Sequence, residues 1–92
     1  MAESIVIIPT YNEIENIERM LDIVLALDPP FHVLIVDDGS PDGTAAAVKA
    51  KQAEHADRIH LLERSGKFGL GTAYIAGFKW ALEHRYELIY EM

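Results

Sequence analysis

The chain has 92 residues, a formal net charge of −7, half its residues hydrophobic and a quarter charged. That is enough for one small domain with a real core, and the acidic balance argues against nucleic-acid binding and against docking on an anionic membrane by charge alone. Cysteine is absent, which excludes disulfides, thiolate catalysis and cysteine-based metal sites and fits a reducing compartment.

Met1-Ala2-Glu3-Ser4 is not a basic leader, and no apolar run approaches the ~20 residues a spanning helix needs. The segment is therefore expected to be cytoplasmic, and any membrane association is expected to be peripheral, through residues outside it.

Ile5-Val6-Ile7-Ile8 is a short continuous apolar run closed by Pro9, the pattern of a strand buried on both faces. Asn12 stands three residues before Glu15 as a variant capping box. Behind it Ile14, Ile17, Leu21, Val24 and Leu25 recur at helical spacing until Asp28-Pro29-Pro30. His32 to Val36 predicts a second buried strand, ending in the turn residues Asp37-Asp38-Gly39-Ser40-Pro41-Asp42-Gly43.

An alanine-rich helix is predicted from Thr44 to about His55, a third strand from Arg58 to Glu63, and a glycine-rich loop over Ser65 to Gly71. Leu70, Ala73, Tyr74, Gly77, Phe78 and Ala81 mark a third helix, and Leu88-Ile89-Tyr90 a fourth strand. Strictly alternating strands and helices predict an α/β fold: a three-layer, Rossmann-like parallel sheet of about four strands with right-handed crossovers.

In such sheets ligands bind beyond the carboxyl ends of the strands. Three loops stand there: Pro9 to Glu13, Asp37 to Gly43 and Arg64 to Gly71. In the first, Tyr11 can stack on a base and Glu13 can accept hydrogen bonds from base or ribose; equally, Asn12 and Glu13 can serve only to cap a helix. In the second, Asp37 and Asp38 are adjacent at a strand end, so their side chains diverge. One can face a cleft while the other braces a turn, and Asp42 suits the cap of the second helix. In the third, Lys67 between glycines is a candidate phosphate contact or a solvated lysine, and the glycine spacing matches neither a Walker motif nor G-x-G-x-x-G. His32, His55, His60 and His84 have no ligand spacing, and Trp80 and Tyr74 read as core or interface groups.

Taken together, Ile8-Pro9-Thr10-Tyr11-Asn12-Glu13, Val36 through Thr44, and Gly66-Lys67-Phe68-Gly69-Leu70-Gly71-Thr72-Ala73-Tyr74 followed by Gly77-Phe78 resemble the inverting family 2 glycosyltransferases. The Asp-Gly-Ser-Pro-Asp-Gly-Thr and Gly-Leu-Gly-Thr-Ala-Tyr segments more narrowly resemble the polyprenyl-phosphate (dolichol-phosphate) mannose synthases. The resemblance spans nearly the whole chain. It implies the N-terminal, nucleotide-sugar-binding half of a glycosyltransferase A fold over residues 1–92. It further implies GDP-mannose as donor and a polyprenyl or dolichyl phosphate as acceptor.

By the same resemblance, Pro9, Tyr11 and Glu13 contact guanosine, Val36 and Asp38 lie at base and ribose, and Asp37 is their neighbour. The family places an Asp-x-Asp element for Mg²⁺ or Mn²⁺ directly after the fourth strand. The sequence stops at Tyr90-Glu91-Met92, so those metal ligands, the acceptor site and any catalytic base are expected outside it.

The competing readings are weaker. A sugar-nucleotide pyrophosphorylase would need a glycine-rich, arginine-bearing loop after the first strand. A receiver-type signalling module would carry its acidic pair there rather than after the second. Glucosyl transfer to a polyprenyl phosphate and an inactive structural fragment are the nearest alternatives.

Overall fold

The computed structural model describes residues 4–27, 31–64 and 70–91. Four strands, β1 (Ser4–Thr10), β2 (His32–Asp37), β3 (Ile59–Glu63) and β4 (Leu88–Glu91), alternate with three helices, α1 (Ile17–Leu25), α2 (Thr44–Glu54) and α3 (Leu70–Glu83). The strands form one parallel sheet in the order β3-β2-β1-β4, which is the architecture the alternation predicts.

The apolar runs are continuous because the two interior strands are covered on both sides. Side chains alternate across a strand, so Val6, Ile8, Val33 and Ile35 pack with Ile17, Leu21 and Val24 of α1 and Val48 of α2. Ile5, Ile7, Leu34 and Val36 face the other way, against Ala73 and Ala81 of α3. Full burial of one such side chain is worth about 1.5–3 kcal/mol, so these two layers hold the sheet. Edge strand β4 is less covered, with Leu88 and Tyr90 exposed.

Small residues let α3 approach closely. A Cβ on Gly77 would stand 2.7 Å from Ile7 Cγ2 and 3.3 Å from Val36 Cγ2, so the glycine sits directly over the β1–β2 pair. Among the described residues, no helix is long and apolar enough to cross a membrane.

The first helix departs from the sequence expectation. It begins at Ile17 rather than after Asn12, and its cap residue Asn16 makes no side-chain capping bond. Asn12 has a left-handed backbone, φ 57°, and Ile14 is exposed rather than part of the buried stripe. The reason is tertiary: side chains of the following loop take up these backbone N–H groups, so no local capping box forms.

Candidate functional site

β1 lies between β2 and β4. The chain steps outward from β1 to β2 and β3, then returns to the opposite side of β1 for β4. The order therefore reverses beside β1, and the crevice beyond its carboxyl end is the place where such sheets bind ligands.

The two loops leaving β1 and β2 meet there. Asp37 is 1% exposed, and its Oδ1 accepts hydrogen bonds from Thr10 Oγ1 at 2.7 Å and from Ser40 Oγ at 2.7 Å. Its Oδ2 accepts the Ser40 N–H at 3.0 Å. Asp37 is therefore the member of the acidic pair that braces the turn. Asp38 points elsewhere: Arg64 Nε donates to its Oδ1 at 2.6 Å and Arg64 Nη2 to its Oδ2 at 2.9 Å. This two-pronged pair is largely shielded, with side-chain exposures of 14% and 8%, where charge-assisted bonds are strong. Arg64 Nη2 also donates to Thr72 Oγ1 at 3.2 Å, which ties the end of β3 to the first turn of α3.

Arg64 was not among the residues singled out by sequence. The signal was available in the strand register: Asp37 lies opposite Glu63 on β3, so the next residues, Asp38 and Arg64, must be neighbours.

The structure gathers the other expected residues unevenly. Tyr11 stands at the loop surface, 37% exposed, with Glu13 half-buried beside it and Pro9 half-buried at the end of β1. Val36 is fully buried beneath α3 and offers a ligand no side-chain surface. Lys67 lies outside the described residues.

Asp42 serves both helical entries. Its Oδ1 accepts the N–H of Thr44, the first residue of α2, at 3.0 Å, and its Oδ2 accepts the Ile14 N–H at 3.1 Å. Partial desolvation pushes its pKa up. The bonds from the Thr44 hydroxyl and from the Ile14 and Thr44 N–H groups outweigh that and hold it below the usual carboxylate value. The cap position proper is Gly43, at φ 92°.

Among the described residues, no group of three or more histidines, aspartates or glutamates could hold a metal ion. Asp37 is held by Thr10 and Ser40, and Asp38 is paired with the cationic Arg64. As arranged, these two residues do not form a donor set for a divalent cation.

The opposite end of the sheet has a different character. His32 Nδ1 lies 2.6 Å from the Tyr86 hydroxyl, which lies 3.4 Å from His60 Nε2. Trp80 packs beside them, its ring 5.1 Å from that of His60, and His84 stacks on Trp80 at 3.7 Å. Three of the four histidines and Trp80 thus belong to one aromatic cluster. Tyr74 is half-buried against the α3-side core.

The model of the glycosyl transferase family 2 matches residues 5–86, and the chain belongs to that family. It is 47% identical over 89 residues to a polyprenol monophosphomannose synthase of Mycolicibacterium smegmatis, covering 97% of this chain and 34% of that protein. It is 49% identical over 86 residues to an undecaprenyl-phosphate mannosyltransferase of Micrococcus luteus, covering 94% of this chain and 35% of that one. The chain therefore spans about a third of the length of these relatives. Among solved structures, the mannosyltransferase PcManGT from Pyrobaculum calidifontis, in complex with GDP-Man and Mn²⁺, superposes with a TM-score of 0.79 at 34% identity, over 85% of this chain and 24% of that one.

Proposed function

We propose that residues 1–92 form the nucleotide-sugar-binding part of a mannosyltransferase that moves mannose from GDP-mannose to a polyprenyl or dolichyl phosphate with inversion. The observation that carries this reading is the interlocked pair of strand-end loops at the reversal of strand order, on a scaffold that superposes on a GDP-Man-bound mannosyltransferase. The names of both curated relatives point to the same transfer.

In this reading Tyr11 stacks on guanine, while Glu13 and Asp38 accept hydrogen bonds from base and ribose. Pro9 and Val36 shape the floor beneath them, and Asp37 holds the loops. Asp38 keeps acceptor capacity while paired, since a carboxylate has about four lone-pair sites, and Arg64 fixes its orientation. Lys67 is proposed to meet a donor phosphate.

A departing diphosphate needs its charge neutralised, usually by a divalent cation. We place the ligands for Mg²⁺ or Mn²⁺ in parts of the enzyme outside the described residues. The acceptor is a lipid phosphate, so the whole enzyme is proposed to work at the cytosolic face of a membrane, with peripheral contact made by other segments.

Titration calorimetry with GDP tests the reading. The 92-residue chain is expected to bind GDP weakly, with no strengthening by Mn²⁺, and to transfer no mannose. Micromolar, Mn²⁺-dependent binding would overturn the placement of the metal ligands. Preference for UDP over GDP would favour glucosyl transfer instead.

A further inference from the structure

The loop after β1 does not close itself. Three successive backbone N–H groups, those of Asn12, Glu13 and Ile14, donate to Ser40 Oγ at 2.9 Å, Thr44 Oγ1 at 3.0 Å and Asp42 Oδ2 at 3.1 Å. Each partner lies 28 to 31 residues further along the chain. The second loop therefore reads the first, one amide at a time.

The two hydroxyls work in the same way. Ser40 Oγ accepts the Asn12 N–H and donates to Asp37 Oδ1 at 2.7 Å. Thr44 Oγ1 accepts the Glu13 N–H and donates to Asp42 Oδ1 at 2.5 Å. A carboxylate accepts hydrogen bonds and cannot donate them. It therefore fixes where the hydroxyl proton points and leaves a lone pair for the amide. Thr10 joins the first relay by donating to Asp37 as well.

This arrangement fixes one particular conformation of the first loop. Asn12 sits at φ 57°, a left-handed setting that asparagine adopts more readily than other non-glycine residues. Tyr11 and Glu13 flank it directly, so the twist at Asn12 decides where the Tyr11 ring and the Glu13 carboxylate stand relative to each other.

We propose that Ser40, Asp42 and Thr44 are positioning residues for nucleoside binding: they set the backbone of residues 11–14 from the neighbouring loop and touch no ligand themselves. The identity of the ligand rests on the proposed function above; the interlock does not. A loop ordered before binding loses less conformational freedom when the nucleoside arrives, and affinity rises by that saving.

The test uses the 92-residue chain and its variants Thr44→Val, Ser40→Ala and Asp42→Ala, with Thr44→Ser as the conservative rescue. Three quantities are read: amide hydrogen exchange at residues 12–14, GDP affinity by titration, and the thermal midpoint. Each loss variant should speed exchange at its own partner amide: Glu13 for Thr44→Val, Asn12 for Ser40→Ala, Ile14 for Asp42→Ala. Each should also weaken GDP binding by roughly five- to tenfold, the size of one lost hydrogen bond, and Thr44→Ser should restore both readouts.

Unchanged exchange at these amides would overturn the interlock. Faster exchange with unchanged GDP affinity would overturn the positioning role and leave a purely structural one. Absence of GDP binding in the unsubstituted chain would sink the nucleotide reading itself, and with it the positioning role, while the exchange data still decide the interlock. Should Thr44→Val unfold the chain, Ser40→Ala at its half-buried site carries the same comparison.

Discussion

The two ends of the sheet bury polar groups by opposite means. At the carboxyl end Asp37 and Asp38 are buried, each held by O–H or N–H donors brought from other elements. At the amino end His32 and His60 meet around the Tyr86 hydroxyl, with Trp80 alongside. Burial favours the neutral form there. It lowers the pKa of His32, helped by the nearby Arg58 charge and opposed by Asp57. It lowers that of His60 as well, helped by His32 and His84 and opposed by Asp57. Burial likewise raises the Tyr86 pKa. One end keeps charges in fixed positions, as a binding site must. The other keeps imidazoles neutral and fastens the turn that leads into β4.

The contrast is most sharply broken by cutting the ion pair at the carboxyl end. Asp38→Ala removes both charge-assisted bonds between Asp38 and the shielded Arg64, and should cost about 3 kcal/mol of unfolding free energy. Urea denaturation would show it, and a loss below about 1 kcal/mol would mean that the pair is effectively solvent-exposed. At the amino end Tyr86→Phe removes a neutral hydrogen bond and should cost only about 1 kcal/mol in the same assay. An equal or larger loss would erase the distinction between the two ends.

Acid separates the ends more finely. A histidine with a lowered folded-state pKa stabilises the fold above its unfolded value of 6.5 and loses that contribution as pH falls toward the folded value. Asp42, also lowered, keeps its contribution until pH falls below its ordinary 3.8. As pH falls below 6.5, then, stability should decline through the amino end, while the Asp42 contacts at the carboxyl end persist until pH falls below 3.8. His60→Gln should flatten that decline. A decline of unchanged slope in the variant would remove His60 from the account.

Much of this was legible because buried strands write themselves as continuous apolar runs. Ile5 to Ile8 and His32 to Val36 appear where those runs lie, and Pro29-Pro30 separates them as a helix stop would. The start of α1 was not legible. Asn12 and Glu15 have the spacing of a capping box, yet the acceptor that wins the Asn12 N–H is a serine 28 residues away. Local propensity cannot see that competitor. The adjacency of Asp37 and Asp38 makes their divergence legible, and the geometry assigns the brace to Asp37 and the Arg64 pair to Asp38. Arg64 escaped notice because its meaning depends on the β2–β3 register, which only pairing fixes.

The central claim is that the loops beyond β1 and β2 bind the nucleoside, and amide chemical-shift mapping with GDP tests it most directly. Titrating GDP into ¹⁵N-labelled chain should shift the amides of Tyr11 to Glu13 and of Asp37 to Ser40, and leave those of His32, His60 and Tyr86 in place. Shifts concentrated instead in the apolar groove lined by Tyr74, Ile75, Phe78 and Ile89, or at the histidine end of the sheet, would contradict it.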